Sequence, residues 1–200
     1  MKYPFFASFI VLVILFSIKL HQRREKDAKQ YENFWAEEAR ANATRRKSLD
    51  GLDYISIPFD TLPTQLLIDN ESVSEYLDTL HTLSERPIVN LTGYTNTELK
   101  LMYGAPNIDI LIAYDQAYTL LARTLNDWGA LLHQEGYDRE ALEVLEFAIS
   151  TRTDVIATYV TLSQIYTDLN QPEKIEHLIA VASELKSLSK NAILKNLTKA

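Results

Sequence analysis

The 200-residue chain is 46% hydrophobic, which supports a real core, and its length fits one modest domain plus accessory segments. Cysteine is absent, which excludes a disulfide framework and a thiolate metal site. The formal charge of −7 is uneven: residues 1–18 carry +1, residues 19–47 carry nine Lys/Arg against five Asp/Glu, and residues 48–200 carry ten against twenty-two, so the body is too acidic to present the basic face that nucleic acid requires.

Residues 1–20 are expected to form a transmembrane anchor. From Tyr3 to Leu20 the only charge is Lys19, at the end of the run, where its stem can snorkel. At 1.5 Å per residue such a run nearly spans a bilayer core of about 30 Å. Tyr3, Phe5 and Phe6 cluster at one border, as interface anchors do. The rival reading is a cleaved signal peptide, which needs a small-x-small site after the run, and HQRREKDAKQ offers none. Lys2 and the terminal amine precede the run, whereas Lys19, Arg23, Arg24, Lys26 and Lys29 lie at its far side. The heavier basic flank favours a body on the cytoplasmic side over an extracellular one.

Residues 21–51 read as a charged juxtamembrane helix and linker. Ala28, Tyr31, Trp35, Glu38, Ala39 and Asn42 mark one side, and Phe34 broadens the aromatic patch. Two readings stand: a helix lying on anionic lipid, with Arg45, Arg46 and Lys47 as a second basic cluster, or a solvated stalk. Acidic residues interrupt the basic face and favour the stalk. Gly51 ends the stretch.

Residues 52–106 combine an extended segment with short helices. Ile55, Ile57 and Phe59 alternate with polar residues, but Pro58 and Pro63 deny a central strand. Ser72 and Glu75 have capping-box spacing, and Val73, Tyr76, Leu77, Leu80 and Leu83 follow at helical intervals up to Pro87. Thr95 and Glu98 form a second box before a helix ending at Gly104. Between them Asn90, Thr92, Tyr94, Thr95 and Asn96 make a dense polar and aromatic loop. It reads either as a partner contact or as turn and cap chemistry, which explains each residue without a ligand.

Residues 107–200 carry the strongest signal. Asn107 is placed to cap a long helix whose stripe of Ile108, Leu111, Ile112, Tyr118, Leu121, Leu125, Trp128 and Leu132 meets no Gly or Pro before Gly129. The segment 122–155 then echoes in 156–189, with a period of 34: Leu125 falls on Tyr159, Trp128 on Leu162, Gly129 on Ser163, Leu132 on Tyr166, Gly136 on Asn170, Ala141 on Ile175, Leu145 on Ile179 and Ala148 on Ala182. Large residues line a seam, small ones stand where helices cross, and Gly136 and Asn170 are types that tolerate a left-handed turn. Pro172 is suited to a first helical turn.

This pattern resembles the tetratricopeptide (TPR) repeat over 122–189, with three departures: Ile175 replaces a small residue, Thr153 stands where the closing proline would be, and Trp128 takes a slot usually held by Leu. The 88–107 segment resembles membrane-anchored repeat proteins of Gram-positive bacteria and implies no activity. The expected fold is therefore all-α: an N-terminal transmembrane helix, then TPR-like helical repeats behind an irregular N-terminal extension. Because stacks need about three units, the helices over 72–84 and 95–103 are expected to pack on the repeats, and residues 190–200 to cap them.

Catalytic motifs are absent. There is no phosphate-binding G-x-x-x-x-G-K-[ST] or G-x-G-x-x-G and no G-x-S-x-G elbow. His21, His81, His133 and His177 are scattered and lack metal-ligand spacing, and Asp109, Asp115 and Asp127 do not share a helical face as a close pair. The chain reads as a non-enzyme without cofactor or metal. The resemblance implies a groove lined by the first helix of each repeat: Arg123, Asn126, Asp127, Ala130 and His133, then Ala157, Val160, Thr161, Gln164 and Asp168. Only Arg123 and Asn126 fit a carboxylate clamp, so none is expected. A mixed polar groove on an acidic body suits a neutral or basic peptide or helix. The expected function is a membrane-tethered protein–protein interaction scaffold. The alternatives are a structural subunit of a membrane complex and, behind it, an enzyme on a helical scaffold.

Overall fold

The computed structural model describes residues 4–198, over which the chain is all-α, with one isolated antiparallel bridge between Tyr54 and Val89. The helices are α1 (Pro4–Asn42), α2 (Glu71–Ser84), α3 (Asn96–Tyr103), α4 (Ile108–Gln134), α5 (Asp138–Ser150), α6 (Ile156–Asp168), α7 (Pro172–Glu184) and α8 (Lys190–Leu197). The chain divides into two compact units, residues 1–47 with 96–106 and residues 48–95 with 107–200.

In the first unit α1 runs unbroken from Pro4 to Asn42. Phe9, Leu12, Leu15 and Phe16 on it are 60–64% exposed. The expected span over 3–20 begins outside the described residues, and among the described residues no helix is long and apolar enough to cross a membrane. The charged helix ends at Asn42, before Gly51, because the next residues pair with the α3 end instead of continuing the turn. Lys47 N donates to the Tyr103 carbonyl at 3.0 Å and Ala105 N to the Thr44 carbonyl at 3.1 Å. Gly104, at φ +95°, makes this approach possible, since a Cβ there would run into the Arg45 carbonyl. The third member is an ion pair: Lys100 Nζ lies 2.5 Å from Glu38 Oε1, with both side chains mostly buried, and Thr97 Oγ1 donates to Glu38 Oε2 at 2.6 Å. These bonds hold the Glu38 carboxyl below the usual range, the Lys100 bond most strongly. The short helix expected to pack on the repeats is thus α3, joined to α1 in the first unit.

In the second unit, Ile55, Ile57 and Phe59 pack half-buried against the core as an extended segment, tied by Ile55 N to the Ile88 carbonyl at 2.9 Å. The α2 cap is Asn70, not Ser72: its Oδ1 accepts from the Ser72 and Val73 amides at 3.0 and 3.3 Å. The α2 face of Val73, Leu77, Leu80 and Leu83 is buried, and α2 packs on α4. Asn107 occupies the position before α4 but makes no side-chain cap bond.

From α4 onward the sequence echo has a structural counterpart. The C-terminal half of α4 with α5, and α6 with α7, form two hairpins. Leu125, Trp128 and Leu132 are buried on the first, Tyr159, Leu162 and Tyr166 on the second. Gly129 is required by the crossing, because a Cβ there would enter the Leu145 side chain. Gly136 (φ +82°) and Asn170 (φ +54°) reverse the chain at equivalent places. Pro172 opens α7. After α5, buried Thr153 closes the turn: its carbonyl accepts from Tyr159 Oη at 2.9 Å and its Oγ1 from Val155 N at 3.3 Å. Finally, α8 packs on both α6 and α7 and covers the end of the stack with Ile193 and Leu197.

Candidate functional site

The face shared by α4 and α6 carries the residues expected to line a groove. Arg123, Asp127, Ala157, Gln164 and Asp168 are exposed, and Asn126, Ala130, His133, Val160 and Thr161 are half-buried. The two helices pack together, so this face is continuous across the hairpins. Two of its members are engaged within the fold. Asn126 Oδ1 accepts from Thr158 Oγ1 at 3.1 Å, joining α4 to α6, and its Nδ2 donates to Asp127 Oδ1 at 2.9 Å. His133 Nδ1 lies 2.5 Å from Asp138 Oδ1, bridging the turn between α4 and α5. Asn126 therefore joins the two hairpins and His133 braces the first, and the groups left to a partner are Arg123, Gln164, Asp168 and the second carboxylate oxygen of Asp127. On α2 the pKa of the Tyr76 hydroxyl is raised, by burial first and then by Asp127 and Glu75.

The second candidate, the loop at 90–96, is resolved by its bonds. Asn90 Nδ2 donates to the Thr151 and Arg152 carbonyls at 2.9 and 3.1 Å, and its Oδ1 accepts from Thr92 N at 2.9 Å. Leu91 N donates to Asp115 Oδ1 at 3.1 Å. Tyr94 is 37% exposed, with Lys186 Nζ 4.7 Å from its ring centroid and 3.2 Å from its hydroxyl. Asn90 thus fastens the loop to the turn after α5 and Tyr94 fastens it to the turn after α7, while Thr92 bonds to Asn90 within the loop. Asn96 stands exposed as the first residue of α3, outside this fastening.

Around the same turn lies a cluster of shifted groups. Burial raises the Asp115 carboxyl, the Leu91 amide partly offsets this, and Asp154 raises it further. Tyr118, which donates to the Thr151 carbonyl at 3.2 Å, is pushed up to about 12, chiefly by burial. Ser187 Oγ donates to Asp154 Oδ2. Each of these groups has a partner inside the fold, so the cluster reads as a polar core layer. Among the described residues no group of His, Cys, Asp and Glu could hold a metal ion.

Sequence reasoning missed a cleft of about 400 Å³ between the second helices of the hairpins. Its lining comes from α5, the turn after α5, α6 and α7, and its apolar members fit the ordinary inward stripes of amphipathic helices. No sequence signal marks it. No family model, curated protein or solved structure matches the chain.

Proposed function

We propose that the protein is a membrane-tethered, TPR-like interaction scaffold that docks a neutral or basic protein segment on the α4–α6 face. One observation carries this reading. After the repeated seam is buried, Asp127, Gln164 and Asp168 stand exposed on neighbouring first helices with Arg123 as the nearby cation, on a body of ten Lys/Arg against twenty-two Asp/Glu. Such a surface favours a basic partner through complementary potential, with weaker binding as salt rises.

Tethering by residues 3–20 would put the body beside membrane-bound partners, where a high effective concentration makes modest affinity sufficient. Support for the tether is the apolar run of the sequence and the outward Phe9, Leu12, Leu15 and Phe16. The basic residues after the run favour a cytoplasmic body.

The test is a crosslinked pull-down from native membranes with the wild-type chain and an Asp127→Lys, Gln164→Lys, Asp168→Lys variant. All three positions are exposed, so the fold tolerates the change. A partner held by the wild type and lost by the folded variant supports the scaffold. Equal capture by both sinks this assignment of the face.

A further inference from the structure

The cleft between α5 and α7 differs in character from the α4–α6 face. Its floor is apolar: Ile149 on α5, Leu178 and Val181 on α7. At one end, Tyr166 Oη and Lys174 Nζ both donate to Glu146 Oε1, at 2.5 and 3.1 Å, so this carboxylate is already matched. Burial holds the Tyr166 phenol far above its ordinary range, which keeps it a donor.

At the other end stands Arg152. Its backbone has φ +60°, a left-handed conformation that a branched-off side chain rarely adopts. The conformation is held by two bonds: Asn90 Nδ2 donates to the Arg152 carbonyl at 3.1 Å, and Arg152 N donates to the Ile149 carbonyl at 2.8 Å. Among the described residues no ion pair or hydrogen bond engages its guanidinium. An open guanidinium at the end of an apolar floor is a recognition element for a planar anion, which it can grip through two parallel N–H donors.

We propose that this cleft binds an amphipathic monocarboxylate, with the carboxylate on Arg152 and the apolar body over Ile149, Leu178 and Val181. A volume of about 400 Å³ falls in the range of small-molecule sites. The single charge follows from the surroundings. Arg152 offers one charge and Glu184 also lines the cleft, so the second charge of a dianion would meet repulsion.

The experiment uses the full chain in phospholipid nanodiscs and 4-(4-fluorophenyl)butyrate, read by fluorine NMR line broadening with empty nanodiscs subtracted. Saturable broadening is expected with the wild type. Arg152→Gly removes the guanidinium while suiting the positive φ, so it folds, and it should weaken binding by about tenfold or more. Val181→Trp should abolish binding by filling the floor, whereas Arg86→Gln, at an exposed arginine outside the cleft, should leave it unchanged. The corresponding amide should bind about tenfold more weakly than the acid. Absence of saturable binding overturns the proposal, and so does equal binding by the Arg152→Gly chain or by the amide. Because no partner protein is present, failure here leaves the α4–α6 reading untouched.

Discussion

Asn90 donates its side-chain amide to the carbonyl of Thr151, 61 residues away, at 2.9 Å. The bond ties the segment after α2 to the turn joining the two hairpins, and the same nitrogen reaches the Arg152 carbonyl. Asn90→Ala removes both donations and leaves the Arg152 carbonyl without this donor. The unfolding free energy should fall by about 1–2 kcal/mol, measured by urea denaturation. Asn90→Asp should cost at least as much, because a carboxylate can only accept and would face two carbonyl oxygens.

The hairpins were legible in the sequence because every feature that builds them is local and repeats: large residues at the seam, small ones at the crossing, Gly136, Asn170 and Pro172 at the turns. The α2 face was legible for the same reason, since Val73, Leu77, Leu80 and Leu83 keep a helical period. What was hidden depends on pairings distant in the chain. Nothing local joins α3 to α1; that junction rests on Glu38 with Lys100 and Thr97, about sixty residues on. Asn70 and Ser72 are both capping types two residues apart, and only the backbone decides between them. On the candidate face, residue type suggested that Asn126 and His133 were available, but their geometry engages them with Thr158 and Asp138. The cleft was invisible because the placement of Arg152 rests on a backbone angle and on Asn90.

The two turn residues give a matched comparison. Gly136 has open space where a Cβ would be, so a substitution there meets only the cost of φ +82°. Gly136→Ala should lower stability by about 1–2 kcal/mol. Gly136→Asn should cost less, because asparagine holds the equivalent position at φ +54° in the second hairpin. Thermal melts of both variants beside the wild type test this order; an alanine variant as stable as the asparagine one would contradict it.

The two shifted carboxylates predict opposite pH slopes. Asp115 is raised in the folded state, by burial first and by Asp154. Its contribution is fully present below the unfolded aspartate pKa and is lost as pH rises through the raised value. Asp115→Asn keeps an acceptor for Leu91 N without the charge, so it should be more stable than the wild type at pH 7 and lose that advantage in acid. Glu38 is lowered, chiefly by the Lys100 bond, so its contribution is present above the unfolded glutamate pKa and lost as pH falls through the lowered value. Glu38→Gln should therefore be less stable at pH 7 and converge on the wild type in acid. Denaturation curves at pH 3, 4, 5 and 7 read both slopes.

Two hairpins alone bury little, and the core of the second unit extends beyond them on both sides. Leu80 on α2 and Ile193 on α8 are fully buried in the same cluster as Leu125 and Leu162. If α2 and α8 serve as the outer layers of one stack, truncating either is equivalent to truncating the repeats. Leu80→Ala and Ile193→Ala should each cost about 2–5 kcal/mol, as should Leu125→Ala. All three should shift a single transition for the second unit, seen alike by circular dichroism and by tryptophan fluorescence of buried Trp128, with Trp35 on α1 replaced by Phe so that the signal reports this unit. A Leu80→Ala chain that loses α2 in a separate early step, while Trp128 keeps the wild-type midpoint, would show that the hairpins stand without it.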